Sequence, residues 1–287
     1  MSKSKNPNLK RQANQRLNAM QRYGESKHQA RRDEHTQYPE GIFSFNTMKT
    51  YKEAVKTFLA WARTRYSEYK FLDDLKDKVP EYLEEKKAAG LSACTIKTYA
   101  SALAKLYGVK KADFGVEFAK RERKNVKRSR FEPDKKLEEA NPDIVDFVRG
   151  TGLRRCELRR LVGEDVYRDS EDKLVVHVRR GKGGKERTVT VLAEYVDRVE
   201  EIAGKVGAKD KIFKKLHRGL QLHHYRGDFA AALYKKVARS EIPDDDKYIM
   251  RKDRKGTILD KKAMLTVSRA LGHNRINVIA QSYLYSV

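Results

Sequence analysis

Apolar residues recur at helical spacing in two stretches of the first half of the chain. The first, NTMKTYKEAVKTFLAWARTRY, starts with Asn46 as a predicted N-cap. Its apolar face is formed by Tyr51, Val55, Phe58, Leu59 and Ala62. The second, SACTIKTYASALAKLYGV, repeats the pattern with Ile96, Tyr99, Leu103, Leu106 and Tyr107. Because FLDDLKDKV and EYLEEKKAAG between them are also helical in pattern, residues 42–118 are predicted to form a small, all-helical domain.

Helical and β patterns alternate from residue 137 onward, which predicts a second domain over residues 137–287. Its first helix, NPDIVDFVRG, has Asn141 as the predicted N-cap, Pro142 at the first helical position and Gly150 at the end. KLVVHVRRGKGGKERTVTVL places two runs of β-branched residues around a glycine-rich turn, the pattern of a β-hairpin. After two further helical segments, YIMRKDRKGTILD predicts a second, smaller hairpin. The predicted fold class is mainly α with a small antiparallel β-sheet, and the second domain is of the α+β type.

Two segments are basic and lack a helical apolar face. Residues 1–41 are almost free of large aliphatic side chains, so they are predicted to form a flexible N-terminal segment. Residues 119–136 are predicted to be a basic linker between the domains. Its central stretch, KRERKNVKRSR, is interpreted either as a solvated linker or as a strap that lies on DNA phosphates, and both can hold. The candidate DNA-binding residues there are Lys120, Arg121, Arg123, Lys124, Lys127, Arg128 and Arg130.

The net charge narrows the class of partner. The 64 lysines and arginines outnumber the 40 aspartates and glutamates, which gives a formal charge of +24 and a pI of about 9.8. Such an excess indicates a protein that binds a polyanion, and double-stranded DNA is the leading candidate. No apolar run is long enough to span a bilayer and the N-terminus has no hydrophobic signal region, so a cytoplasmic protein without membrane contact is expected.

Metal ions and nucleotide cofactors are not predicted. Cys94 and Cys156 show no Cys-x-x-Cys spacing, and the histidines match no common zinc site. The acidic stretch PDDDK is interpreted as a solvated loop, because no second carboxylate cluster accompanies it near a strand pattern. GKGGKER is not a phosphate-binding P-loop, since Glu186 follows Lys185 on the way into a strand.

Four short motifs of the second domain contain residues suited to phosphate chemistry. In TGLRRCELRRL, Arg154 can reach into a cleft while Glu157 steadies it, although such a pattern is more often an ordinary surface ion pair. GKGGKER carries a lysine at a hairpin tip, where a solvated turn is the alternative. LHHYRGDFA places His223 and Arg226 one helical turn apart, which allows a two-pronged grip on phosphate. LGH presents His273 ahead of the final helix.

The succession Arg, Lys, His-x-x-Arg, His, Tyr resembles the catalytic signature of the tyrosine recombinase, or phage integrase, family, from about residue 42 to the end of the sequence. TGLRRCEL, HHYRGDFA and VSRALGHNRI are the strongest matches, and the GKGGKER hairpin supports them. The resemblance implies an N-terminal, all-helical SAM-like core-binding domain and a C-terminal tyrosine-recombinase catalytic domain. It also implies that Glu157 is the family's supporting acidic residue.

The resemblance implies a role for each of the other candidates. Arg154 and Arg226 would bind the non-bridging oxygens of the scissile phosphodiester, and His273 would brace the same phosphate. Lys182 would protonate the leaving 5′ oxygen, while His223 would handle the proton of the nucleophile. Fixed guanidinium groups suit these roles, because negative charge builds on the equatorial oxygens during attack. A phosphotyrosine ester stores the energy of the broken bond, so neither ATP nor a metal ion is needed and no cofactor is expected.

Two tyrosines compete for the role of nucleophile near the end of the sequence. Family members usually place it about nine residues after the histidine of LGH. Here that position is Ser282, and Tyr283 follows it. On a helix Tyr283 shares the inward face of Ile279 and Ala280, whereas Tyr285 points roughly 200° away. Tyr283 is therefore predicted to be the nucleophile.

These patterns predict a site-specific recombinase or integrase of a bacterial mobile element or phage, which cleaves and rejoins duplex DNA through a 3′-phosphotyrosine intermediate. The resemblance implies a homotetramer on DNA, accessory DNA-bending or directionality proteins, and a place in the bacterial cytoplasm, on the nucleoid when bound. Two alternatives stay open. A type IB topoisomerase or telomere resolvase would relax or resolve DNA without exchanging partners. A non-catalytic DNA-binding protein with this fold would bind its site without a covalent adduct.

Overall fold

The computed structural model describes residues 8–119, 133–181, 184, 186–251, 254–273 and 275–284. The chain divides into two compact units, residues 1–122 and 123–287. This division falls inside the predicted basic linker, and all seven candidate DNA-binding residues of the linker, from Lys120 to Arg130, lie outside the described residues. None of the described helices combines the length and the apolar character that crossing a bilayer requires.

Five α-helices form the framework of the first unit. They are α1 (Leu9–Ala19), α2 (Lys27–Asp33), α3 (Phe45–Arg65), α4 (Val79–Ala88) and α5 (Ala93–Tyr107), with 3-10 turns at Asp73–Lys78 and Lys111–Phe114. Helix α3 packs against α1 and α5, and α5 packs against α4. The predicted N-cap of α3 was wrong by two residues, because Asn46 lies inside the helix. The N-cap is Ser44, whose hydroxyl accepts a hydrogen bond from the backbone amide of Thr47 at 3.2 Å.

The N-terminal segment is folded onto the first unit, so the prediction of a flexible segment over residues 1–41 is wrong for its described part. The side chain of Asn8 caps α1, and Ala13 and Leu17 are buried in the core of the unit. Leu9, Ala13 and Leu17 recur every fourth residue and form a narrow apolar stripe that the basic composition hides. Three apolar side chains are enough to hold α1 on the unit because α3 and α5, which both contact α1, supply the rest of the core.

Short helices and two antiparallel sheets form the second unit. The helices are α6 (Lys135–Glu139), α7 (Pro142–Thr151), α8 (Arg155–Leu158), α9 (Val196–Gly204), α10 (Leu222–Val237), α11 (Lys261–Ala270) and α12 (Ile276–Ser282). The strands are β1 (Val166–Arg168), β2 (Leu174–Val178), β3 (Arg187–Thr190), β4 (Lys247–Ile249) and β5 (Ile258–Asp260), in the orders β1-β2-β3 and β4-β5. Both predicted hairpins are present, β1 was not predicted, and the predicted class is confirmed.

Helix α7 extends further than the sequence pattern predicted. Gly150 lies inside the helix, which ends at Gly152, whose φ of 63° is the left-handed conformation that glycine adopts readily. Gly150 instead allows Tyr195 to pack closely against the helix, since a Cβ at position 150 would lie 2.6 Å from the Cβ of Tyr195. Asn141 precedes the helix but does not cap it, because its side-chain amide donates to the carbonyl of Leu137 at 2.9 Å.

Helix α10 organises the second unit. It packs against α7 and α11, and α11 packs against α12. Asp260, at the end of β5, is fully buried and accepts the backbone amide of Lys262 at 2.9 Å, which caps α11. The same carboxylate forms a bidentate pair with Arg239, just after α10, at 2.7 Å for each contact. This pair fixes the base of the β4–β5 hairpin to the end of α10.

Replacing Leu17 with alanine tests whether α1 belongs to the folded core. Because Leu17 is fully buried, we expect Leu17→Ala to lower the free energy of unfolding of the first unit by about 2–5 kcal/mol. Trp61 is the sole tryptophan of the chain and lies in this core, so urea unfolding followed by its fluorescence reports on this unit.

Gln15→Ala, at an exposed position of the same helix, is the control and should change the free energy by less than about 0.5 kcal/mol. If Leu17→Ala were equally mild, α1 would not be part of the cooperative core.

Candidate active site

The buried guanidinium of Arg226, on α10, lies at the centre of the site and is only 1% exposed. Its Nη2 donates to the carbonyl of Leu271 at 2.5 Å, its Nη1 to the carbonyl of Gly152, and its Nε to the hydroxyl of Tyr283 at 3.2 Å. Burial lowers the pKa of Arg226 to about 10, so the guanidinium stays protonated at neutral pH. The site therefore holds a fixed positive charge that is shielded from solvent.

Two glycine turns direct the chain into the site. Gly152 ends α7 and Gly272 follows α11, each with a φ of 63°. A Cβ on Gly152 would lie 2.4 Å from the ring of Phe229, so α10 can approach this closely only because the residue is glycine. The turn at Gly152 leads into Arg154 at the start of α8, and the turn at Gly272 leads into His273.

Arg154 shares a backbone acceptor with Arg226. Its Nη2 donates to the carbonyl of Leu271 at 2.9 Å and lies 3.1 Å from Nε2 of His273. Its Nη1 donates to Glu157 at 2.8 Å. Two guanidinium groups that converge on one carbonyl repel each other, and an anion bound between them relieves the repulsion. The arrangement therefore favours a ligand with charged oxygens, such as a phosphodiester.

Tyr283 borders the site at the end of α12. It is 4% exposed, and its hydroxyl lies 3.3 Å from Nε2 of His273 and 3.2 Å from Nε of Arg226. The ring of His223 meets its ring edge-on, with centroids 5.1 Å apart. Tyr283 faces inward with the buried residues of α12, as helical geometry predicted. Tyr285 lies outside the described residues, so the choice between the two tyrosines stays a prediction.

Glu157 is buried next to Arg154 and connects it to β3. Its carboxylate accepts the backbone amide of Arg154 at 2.8 Å and both terminal nitrogens of Arg187 at 2.9 Å. Burial raises the pKa of Glu157, but the hydrogen bonds and charges of Arg187 and Arg154 outweigh it and lower the pKa to about 2. Arg187 was not predicted as a site residue. The sequence does contain a signal for it. Arg187 lies two residues before Val189 in a strand, so both side chains are on the same, buried face, where an arginine needs a hydrogen-bond partner.

Five of the six residues predicted to be catalytic lie together in this site. They are Arg154, His223, Arg226, His273 and Tyr283. The sixth, Lys182, lies between β2 and β3 in the sequence and is outside the described residues. Among the residues that the structure describes, no three His, Cys, Asp or Glu side chains are close enough together to hold a metal ion.

The tip of the β4–β5 hairpin contacts the segment that carries Tyr283. The side chain of Arg254 donates to the backbone carbonyl of Leu284, a fully buried residue. Helix α12, which precedes this contact, has only seven residues. A helix of that length is not stable by itself in water. Contacts outside the helix therefore decide whether the tyrosine segment is ordered.

Known proteins are similar to part of the first unit in sequence and to the whole chain in fold. Residues 39–113 match the family model of the phage integrase N-terminal SAM-like domain. The match begins after α1 and α2 and covers α3, α4 and α5. It confirms the SAM-like domain that the sequence resemblance implied. A comparison with curated protein sequences gives no match.

Solved structures of recombinases are similar to the chain over nearly its full length. The XerH site-specific recombinase bound to difH substrate, in a pre-cleavage complex, has a TM-score of 0.51 and 16% identity, and the match covers 96% of this chain and 91% of that one. The XerH post-cleavage complex on palindromic difH gives a TM-score of 0.52 with 16% identity and coverages of 96% and 91%. The Tn1549 transposon integrase in complex with transposon right end DNA has a TM-score of 0.50 and 14% identity, and the match covers 96% of this chain and 94% of that one. At such identities the similarity shows the recombinase fold.

Removing the side chain of Arg254 tests its contact with the tyrosine segment. We expect Arg254→Ala to speed backbone hydrogen exchange in Ile276–Ser282 and at Leu284 about tenfold, because a charge-assisted hydrogen bond of roughly 1.5 kcal/mol is lost. Exchange is measured by mass spectrometry of peptides from this segment. Lys255→Ala alters an exposed neighbour at the same tip and is the control. Equal exchange rates in the two variants would contradict a role for Arg254 in ordering the segment.

Proposed function

We propose that this chain, whose residues 39–113 match the phage integrase SAM-like domain and whose fold resembles that of solved recombinases, is a site-specific DNA recombinase. It would cleave and rejoin duplex DNA with Tyr283 as the nucleophile. Arg154, Arg226 and His273 would bind the scissile phosphate, and Glu157 would support Arg154.

The position of the Tyr283 hydroxyl carries the proposal. It lies 3.2 Å from Nε of Arg226 and 3.3 Å from Nε2 of His273. Nη2 of Arg154 lies 3.1 Å from the same histidine nitrogen. A phosphate held by these three side chains would therefore have its phosphorus next to the tyrosine oxygen, which is the proximity that an in-line attack needs. A phenol is a weak nucleophile by itself, so the reaction depends on neighbouring groups that activate it.

The proposed reaction exchanges one phosphate ester for another. The phenol oxygen of Tyr283 attacks phosphorus, the new phosphorus–oxygen bond forms, and the bond to the 5′ oxygen breaks. The 3′ phosphate then remains on the enzyme. The proton of the phenol passes to His223, and Lys182 supplies a proton to the leaving 5′ oxygen, roles taken from the family resemblance. Because the number of phosphate ester bonds is unchanged, the 5′ hydroxyl of another strand can reverse the step without an external energy source.

Electrostatic stabilisation would come from cations that are fixed before substrate arrives. Attack increases the negative charge on the non-bridging oxygens. Arg154 and Arg226, the cations proposed to bind these oxygens, both donate to the carbonyl of Leu271 and are held in place by it. Since Arg226 is shielded from solvent, its attraction for this charge is screened less than that of a surface arginine. Little reorganisation of these side chains would accompany the reaction.

We infer duplex DNA as the substrate from the net charge of +24 and from the fold. XerH and the Tn1549 integrase, which share the fold, were solved on difH and on transposon DNA respectively. From the family resemblance of the sequence motifs we propose that the chain assembles as a tetramer on a recombination site, with accessory DNA-bending or directionality proteins, and that it serves a mobile element or phage inside a bacterial cell.

A covalent trapping assay tests the nucleophile. Nicked duplexes tiled from the DNA that flanks the gene are incubated with the protein, and the DNA-linked peptide is identified by mass spectrometry. We expect a 3′-phosphoryl adduct on Tyr283 and none with Tyr283→Phe. The control, Tyr167→Phe, changes an exposed tyrosine of the same unit and should leave the yield unchanged.

The other outcomes of this assay separate the alternatives. An adduct on Tyr285 would keep the reaction but move the nucleophile. No adduct on DNA that is bound specifically would favour the non-catalytic DNA-binding protein. Adduct formation with relaxation of supercoiled DNA, but without strand exchange, would favour an enzyme of the type IB topoisomerase kind.

Substitution of the two arginines separates catalysis from binding. We expect Arg154→Ala and Arg226→Ala each to slow adduct formation at least about 10²-fold, the scale of losing one preorganised donor. Specific DNA binding should change only a few-fold, because phosphate contacts elsewhere supply most of the affinity. If Arg226→Ala does not fold, Arg226→Lys replaces it, because lysine keeps a cation at the buried position. The control is Arg168→Ala, which removes an arginine from an exposed ion pair. Proportional loss of binding and cleavage would argue against a role in the transition state.

A further inference from the structure

Arg187 lies close in the sequence to Lys182. It is the first residue of β3 and pairs with Val178, the last residue of β2, so the two enclose residues 179–186. Its side chain lies on the same face of β3 as buried Val189 and is only 11% exposed. An arginine that is shielded to this degree needs hydrogen-bond acceptors.

Three elements meet at the guanidinium of Arg187. Its Nη1 and Nη2 donate to the two oxygens of Glu157 on α8, each at 2.9 Å. Its Nε donates to the carbonyl of Ala270 at the end of α11 at 3.0 Å. A Cβ on Gly272 would lie 3.1 Å from Cδ of Arg187, so the glycine leaves room for the side chain. The hairpin strand, α8 and the turn before His273 are thereby joined through one side chain.

The pairing with Arg187 also determines how Glu157 can hold Arg154. Arg187 engages both carboxylate oxygens in a bidentate pair, whereas the guanidinium of Arg154 contacts Glu157 through Nη1 alone. The other terminal nitrogen of Arg154 is thus directed to the carbonyl of Leu271 and to His273. Without Arg187, a buried carboxylate would be expected to draw Arg154 into a bidentate pair of its own, away from the phosphate position.

We propose that Arg187 is a positioning residue that fixes the Glu157 carboxylate, directs the guanidinium of Arg154 toward the scissile phosphate, and ties the start of β3 to the same site. The inference rests on the proposed recombinase function and names a residue that does not itself touch the phosphate. Arg187 acts on the phosphate position through Glu157 and Arg154.

The pH dependence follows from the burial of Glu157. Burial raises the pKa of this carboxyl, and Arg187 and Arg154 lower it. The charge of Arg226 also interacts with Glu157. The removal of Arg187 therefore leaves burial opposed mainly by Arg154. The pKa of Glu157 then rises, and the carboxyl becomes protonated at a higher pH than in the native protein. A protonated Glu157 no longer holds Arg154 as an ion pair. Activity that depends on this pair is present above the pKa of Glu157 and is lost as the pH falls through it.

The test uses single-turnover adduct formation on a nicked site, measured from about pH 5 to pH 9. We expect Arg187→Ala to slow the reaction about 10- to 100-fold at neutral pH, the effect typical of outer partners that orient a functional ligand. The acidic limb of its pH profile should move to higher pH, with partial recovery of the rate under alkaline conditions. Arg187→Lys should be intermediate, because it keeps the charge but loses the bidentate geometry.

Arg179 provides a matched control on the other side of the hairpin. It follows Val178 directly and pairs with Glu164 and Asp165, residues outside the site. Arg179→Ala removes one positive charge and two ion pairs from the other side of the hairpin, so it reports on general destabilisation of this region. We expect it to leave the rate within about twofold of the native protein and the pH profile unshifted. Specific DNA binding should stay within a few-fold for all variants.

Each remaining outcome has a defined meaning. Arg187→Ala with a native rate and a native pH profile would overturn the inference and leave the proposed function intact. A slowed reaction without a pH shift, matched by Arg179→Ala, would also overturn it, because general loosening of this region would suffice. If the native protein forms no adduct on specifically bound DNA, the proposed function fails and the inference fails with it. If Arg187→Ala does not fold, Arg187→Lys must slow the reaction more than Arg179→Lys at an equal melting temperature.

Discussion

The burial of the Arg226 guanidinium is the constraint that the rest of the second unit satisfies. A buried cation is costly unless acceptors surround it. Its acceptors are the carbonyls of Gly152 and Leu271 and the hydroxyl of Tyr283, which come from the ends of α7, α11 and α12. Three helix ends must therefore meet beside α10 for the fold to be stable, and their meeting also forms the candidate site. Stability and the geometry proposed for catalysis depend on the same hydrogen bonds.

Charge is distributed unevenly across the site. Arg154, Arg187 and Arg226 contribute three cations, and the carboxylate of Glu157 is hydrogen-bonded to the first two. In the described contacts Arg226 donates instead to neutral oxygens, two of them carbonyls and one the hydroxyl of Tyr283. Positive charge is thus compensated on the Arg187 side and left in excess on the Arg226 side. An anionic ligand is drawn to the side on which the tyrosine lies.

The sequence predicted those features that depend on residues close together in the chain. The long helices and both hairpins were predictable because a buried face requires a fixed spacing of apolar residues. The end of α7 was not, since Gly150 and Gly152 both suit a helix end and only packing against Tyr195 distinguishes them. Most of the site was predictable because each motif is local. Arg187 was missed because its partner, Glu157, is 30 residues away in the chain.

The segment that carries the proposed nucleophile has the least support of its own. Helix α12 is short, and its order comes from buried side chains such as Ile279 and from the contact that Arg254 makes from the β4–β5 hairpin. The hairpin is fixed in turn by the Asp260–Arg239 pair to the end of α10, the helix that carries Arg226. One helix therefore carries Arg226, the cation proposed to bind the phosphate, and also supports the tyrosine segment through the hairpin. A displacement of α10 would move both groups together, which would keep the proposed nucleophile aligned with its phosphate.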